Sequence, residues 1–212
     1  MNRINQVNAL KLADLKSRNK GFLIYQAGDS YPAHDDMEVK LAKFIADGIG
    51  MDFLSHDDVL KPDATSTIEL GNVSSVKQRT EILLKKINSL SGPVVLIGRS
   101  SGARVLTVCA SINNQIAAVI GLAYPFKHPN KPIEEERYIH LESSSVPTLI
   151  VQGVRDEYGG IVANQKYRFS NSVEFFYLNA SHSMHLPEKS LNLVRMRAKR
   201  FILQALAARM KL

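Results

Sequence analysis

Residues 93–105, Pro93-Val94-Val95-Leu96-Ile97-Gly98-Arg99-Ser100-Ser101-Gly102-Ala103-Arg104-Val105, join an apolar run, a serine with glycine two positions away on either side, and a helix-compatible stretch. The run 94–97 suits a strand covered on both faces, and residues 103–110 can continue as a helix. A chain that passes from buried strand to helix through a single tight turn leaves no room for bulk two positions before and after its tip. Gly98 and Gly102 occupy both positions. The spacing G-x-S-x-G in this strand–turn–helix context is that of a nucleophile elbow with Ser100 at its tip. Ser101 is the competitor, but choosing it would put Arg99 and Ala103 at the crowded positions.

The rest of the chain repeats the alternation. Residues 21–25, 116–122, 147–152 and 173–178 read as strands, and 51–55 as a weaker one. Met37, Leu41, Phe44 and Ile45 line one helix; Val76, Leu83, Ile87 and Leu90 line a second. A last helix opens at Pro187, with Val194, Ala198, Phe201, Ala205 and Ala208 on one stripe. Residues 1–20 fit a short helix or an edge strand, and the polar segment 56–72, with Pro62, Asp63 and Gly71, fits a surface loop. Strands alternating with helices imply an α/β fold: a mostly parallel, doubly wound sheet with helices on both faces and function at the carboxyl ends of its strands. At 212 residues and 45% hydrophobic content, one domain spanning 1–212 suffices.

A serine nucleophile needs an imidazole to take its proton and an acid to hold the imidazole. The expected strand 147–152 runs into Gly153-Val154-Arg155-Asp156-Glu157, and the expected strand 173–178 into Asn179-Ala180-Ser181-His182-Ser183-Met184-His185. Asp156 is the expected acid, with Glu157 in reserve. His182, directly after the strand, is the expected base, ahead of His185. The order Ser, Asp, His is that of the α/β-hydrolase triad.

One oxyanion donor is the backbone N–H of Ser101, the residue after the nucleophile; the second is expected from the loop after the first strand, at Ala27 with Gly28 in reserve. Segment 123–146 is too short for a lid domain, and its Tyr124 and Phe126 are expected to offer apolar surface to a substrate. His34, Asp35, Asp36, His56, Asp57 and Asp58 offer imidazole and oxygen donors, but helix capping accounts for the aspartates and no metal or cofactor is expected.

The formal charge of +7 and pI near 9.5 permit nucleic-acid binding. The densest basic run, Arg195, Arg197, Lys199 and Arg200, lies on an amphipathic helix without interleaved aromatics, so a solvated face is expected and no nucleic acid. Residues 1–20 hold no apolar stretch fit for a signal or a membrane span, which points to a cytoplasmic protein. Cys109 is the single cysteine, and falls where a small buried residue is expected.

Segments 96–105, 122–126 and 146–156 together resemble a group of small α/β-hydrolase-like proteins. It includes bacterial alpha/beta family hydrolases, a testis-expressed hydrolase-like protein and the hydrolase-like region of a nonspecific-lethal chromatin complex subunit. The chain is similar, more distantly, to dienelactone hydrolases, which place cysteine where Ser100 stands. After the first strand that group carries His-Gly-Ala-Gly-Gly-Asp, against Tyr25-Gln26-Ala27-Gly28-Asp29-Ser30 here. The resemblance implies a serine hydrolase fold with its triad and implies no substrate. The residues themselves lead to the expectation of a carboxylesterase or thioesterase acting on an accessible acyl or small-molecule substrate, and peptidase action stays open. The departures at Tyr25 and Gln26 keep open a non-catalytic interaction protein on the same fold, against which a Ser100–His182 separation of about 3 Å beside an open cleft would count.

Overall fold

In the computed structural model, which describes residues 21–31, 36–60 and 75–210, six strands pair in parallel in the order β2-β1-β3-β4-β5-β6. They are β1 (Phe22–Gln26), β2 (Asp52–Leu54), β3 (Val94–Arg99), β4 (Ile116–Leu122), β5 (Thr148–Gly153) and β6 (Val173–Leu178). The central strands are apolar throughout because both faces are covered. In β3, Val95 and Ile97 enter one core, while Val94 and Leu96 enter the other.

The helices are α1 (Asp36–Ile49), α2 (His56–Leu60), α3 (Val76–Asn88), α4 (Ser101–Ala110), α5 (Ala163–Lys166) and α6 (Glu188–Arg209). One face of the sheet is covered by α1 and α6, through Leu41, Ile45, Val194, Ala198, Phe201 and Ile202. The other is covered by α3 and α4, through Leu83, Ile87, Val105, Leu106 and Cys109. A capping box starts α3: Ser75 Oγ accepts the Gln78 N–H, and Gln78 Oε1 accepts the Ser75 N–H. Cys109 is fully buried, and burial raises its thiol pKa to about 12.

The chain leaves β1 outward to β2 and returns to β3 on the other side of β1. The loops after β1 and β3 therefore diverge at the sheet's carboxyl edge, and a crevice opens where the strand order reverses.

Three expectations need correction. Phe44, expected beside Leu41 and Ile45 on the apolar side of α1, is 54% exposed, and Arg195 lies over its ring. Residues 56–60 form a helix with His56 and Val59 buried, because Val59 completes the apolar contact with α3. Ala208 is exposed, the apolar stripe of α6 being completed by Leu191, Ile202 and Leu206. The expectations for residues 1–20, for Pro62, Asp63 and Gly71, and for His34 and Asp35 lie outside the described residues.

On α6, Arg195 pairs with Glu188 at 2.5 Å and lies 5.2 Å above the Phe44 ring, and Arg197 pairs with Glu174 of β6. Among the described residues, no helix is long and apolar enough to cross a membrane.

Candidate functional site

Ser100 joins β3 to α4 with φ 51° and ψ −123°, a conformation that non-glycine residues adopt only when their surroundings impose it. Steric limits on both sides hold it. A Cβ at Gly98 would sit 2.7 Å from Leu106 Cδ1, and one at Gly102 would sit 2.4 Å from both the Gln26 and Ala27 carbonyl oxygens.

His182, in the turn after β6, places Nε2 3.0 Å from Ser100 Oγ and Nδ1 3.0 Å from each carboxylate oxygen of Asp156, in the turn after β5. A carboxylate only accepts hydrogen bonds, so Nδ1 carries the proton and Nε2 presents its lone pair to Ser100. Asp156 also accepts the Tyr158 N–H and a Gln152 side-chain N–H, each at 2.8 Å. The Tyr158 ring lies against His182, with centroids 4.2 Å apart. Imidazole and carboxylate are thus set for one proton to pass from Oγ to Nε2.

The reserve residues lie elsewhere. Ser101 Oγ donates to Asp29 Oδ1 at 2.5 Å and accepts from Arg79 Nη1 at 2.9 Å. Glu157 is exposed at the cleft mouth, and His185 lines a neighbouring cavity of about 510 Å³.

At two places the structure departs from the sequence reading. Ala27 is fully buried, its N–H donates to His56 Nδ1 at 3.4 Å, and its carbonyl accepts from Arg79 Nη2. Burial first, then the Arg79 charge, lower the His56 pKa to about 4, with Asp57 opposing. The imidazole is therefore neutral and its Nδ1 can accept. The Ala27 amide is thus engaged with His56, and the reserve Gly28 is the loop residue that abuts Ser100: a Cβ on it would lie 3.2 Å from Ser100 Cβ.

Tyr124 and Phe126 are fully buried and do not line the cleft. Phe126 fills an aromatic cluster with Tyr167, Phe169 and Phe175, and the Tyr124 hydroxyl donates to the Arg137 carbonyl at 2.6 Å. Turned inward, these rings remove apolar area that would otherwise face water. Pro125, between them, reaches the cleft, which has a volume of about 490 Å³ and is bordered by Asp29, Ser100, Arg104, Arg137, Tyr158 and His182 among others.

Sequence reasoning missed a buried ion pair beneath the site. Arg99 Nε lies 3.0 Å from Glu38 Oε1, with both side chains under a tenth exposed. Its terminal nitrogens donate to Ser30 Oγ at 3.1 Å and to the His182 carbonyl at 3.4 Å. Arg99 thereby ties α1, the β1 loop and the histidine turn together.

Among the described residues, no group of three or more His, Cys, Asp or Glu side chains is placed to hold a metal ion. Asp57 accepts the Tyr31 hydroxyl at 2.6 Å, Asp58 binds Ser55, and Asp36 opens α1.

The parallel sheet with helices on both faces is the α/β-hydrolase fold. The chain belongs to the alpha/beta hydrolase domain family, whose model matches residues 71–208. It is similar to a Xanthomonas campestris pv. campestris structure described as a hydrolase of the alpha/beta superfamily (TM-score 0.60, 21% identity, 89% of this chain and 99% of that one). It is also similar to an alpha-beta serine hydrolase homologue from Coxiella burnetii (TM-score 0.64, 20% identity, 85% and 83%). A third similar structure is a monoacylglycerol lipase from Paleococcus ferrophilus (TM-score 0.67, 12% identity, 87% and 95%). No curated protein matches the sequence.

Proposed function

We propose that this chain is a serine hydrolase of carboxylic or thio esters, a single cytoplasmic domain working through an acyl-enzyme. The observation that carries the proposal is the unbroken hydrogen-bond chain from Ser100 through His182 to Asp156, opening on a cleft. Ser100 Oγ attacks the ester carbonyl while its proton passes to His182 Nε2. The oxyanion is received by the backbone N–H groups of Ser101 and Gly28. The intermediate collapses as Nε2 returns the proton to the departing alkoxide or thiolate. Water, deprotonated by the same imidazole, then releases the acid and restores Ser100. The resemblance to the testis-expressed and nonspecific-lethal hydrolase-like group is compatible with this chemistry and leaves the substrate open.

Hydrolysis of p-nitrophenyl acetate tests the proposal. The wild type is expected to turn the ester over, and Ser100→Ala to lower kcat by about 10³-fold or more with an unchanged circular dichroism spectrum. Undiminished activity in that variant would remove Ser100 from the mechanism.

A second reading, a non-catalytic interaction protein on the hydrolase fold, draws on the loop after β1, where the Ala27 amide turns to His56. A folded wild type inert toward both oxygen and thio esters would favour it.

A further inference from the structure

Two arginines border the cleft beside Ser100. Arg104 stands one turn into α4, where its amide donates to the Ser100 carbonyl at 3.3 Å. Arg137 closes the 3₁₀ turn Glu135–Arg137, in the segment between β4 and β5. The buried Tyr124 hydroxyl, itself beside Thr107 and His140, holds the Arg137 carbonyl and so fixes that turn over the cleft.

Both guanidinium side chains are only 12% exposed. Their acidic partners come from the rim: Glu136 is 79% exposed and 3.6 Å from Arg104 Nη2, and Glu134 meets Arg137 through Nε. The Arg104–Glu136 pair, made with a solvated carboxylate, is weak and exchanges readily, whereas Glu134, 33% exposed, holds Arg137 more firmly through Nε. Burial first, then the Arg137 charge, lower the Arg104 pKa, as expected of two like charges held together out of water. Of the other carboxylates at the cleft, Asp29 is engaged by Ser101 and Arg79, and Glu157 faces solvent. Two guanidinium groups lining one cleft, each a forked donor, supply the chemistry that holds an oxyanion, and a bound anion relieves their mutual repulsion.

We propose that the cleft takes esters carrying a second, anionic oxygen group, a carboxylate or a phosphate, and that Arg104 and Arg137 hold that group. The proposal rests on the ester-hydrolase reading of Ser100, but it can be tested by binding alone.

Ser100→Ala protein would be titrated calorimetrically, at low ionic strength, with two matched pairs: monomethyl succinate against methyl butyrate, and 1-acetylglycerol 3-phosphate against monoacetin. In at least one pair the anionic member is expected to bind about tenfold or more tighter, and that pair identifies the oxyanion. Arg104→Gln or Arg137→Gln in the same background should bring the preference below about threefold, and Arg137→Lys should retain part of it. Equal affinity within both pairs, or a preference untouched by either glutamine, would overturn the proposal. The first comparison needs no arginine variant, so a misfolded variant cannot obscure it. Failure of the hydrolase reading would appear separately, as a wild type that binds these esters and leaves them intact.

Discussion

Gln152 donates its side-chain N–H to Asp156 Oδ2 at 2.8 Å while its Oε1 accepts the Tyr124 N–H at 2.8 Å. One fully buried amide at the end of β5 therefore orients the acid of the candidate triad and ties down the chain leaving β4. Replacing Gln152 by Leu strands the Tyr124 N–H and leaves the carboxylate freer to turn. The variant is expected to lose about 2–3 kcal/mol of stability by urea denaturation. It is also expected to lose about tenfold in kcat at a nearly constant KM, since positioning rather than binding is affected. A loss of stability with unaltered kcat would confine Gln152 to a packing role.

The Arg99–Glu38 pair is buried deeply enough that breaking it leaves an uncompensated charge. Glu38→Leu alone is expected to cost about 3–5 kcal/mol. The double variant Glu38→Leu, Arg99→Leu should cost less than the sum of the two singles by about 1–3 kcal/mol. Urea unfolding of the four proteins measures the coupling, and additive losses would contradict it.

Two glycines are expected to respond oppositely to alanine. At Gly102 the new Cβ meets two backbone carbonyls at 2.4 Å, which cannot withdraw without moving the β1 loop, so a loss of about 3 kcal/mol or failure to fold is expected. At Gly48, within α1, the nearest atom is the mobile end of Lys199 at 3.1 Å. Gly48→Ala should therefore gain about 0.5–1 kcal/mol through helix propensity. Thermal unfolding reads both signs.

His56 and His140 each have a pKa lowered to about 4: burial is the main cause in both, aided by Arg79 at His56 and by Arg104 at His140. The unfolded chain protonates these imidazoles near pH 6.5, whereas the fold resists until about pH 4. Their contribution is therefore fully present above pH 6.5 and lost as the pH falls toward 4. The expected drop between pH 7 and 5 is on the order of 2 kcal/mol for each ring, and His140→Gln should roughly halve the slope. A stability profile level across that interval would contradict the neutral, buried state of both rings.

The alternation of strands and helices was legible because a sheet covered on both faces needs wholly apolar strands, and its helices need a stripe at helical spacing. The elbow was legible because steric exclusion writes glycine at two defined positions. The structure brings Ser100, Asp156 and His182, which follow β3, β5 and β6, within hydrogen-bond reach of one another. Exposure was harder to read: whether Tyr124 and Phe126 face a substrate or the core depends on what packs above β4 and β5, which their own stretch does not encode. The buried charges left a faint signal. Glu38 is in register with Leu41 and Ile45, and Arg79 with Leu83 and Ile87, so each places a charge on a stripe otherwise apolar. Their partners, Arg99 in one case and Ala27 and Ser101 in the other, are joined to them only by the fold.

Labelling with a fluorophosphonate probe, which phosphonylates only an activated serine, tests the role of Ser100 most directly. Wild-type protein is expected to be labelled, with the label absent from Ser100→Ala and strongly reduced in His182→Ala. A folded wild type that takes no label, or a label that persists in Ser100→Ala, would contradict Ser100 as the nucleophile.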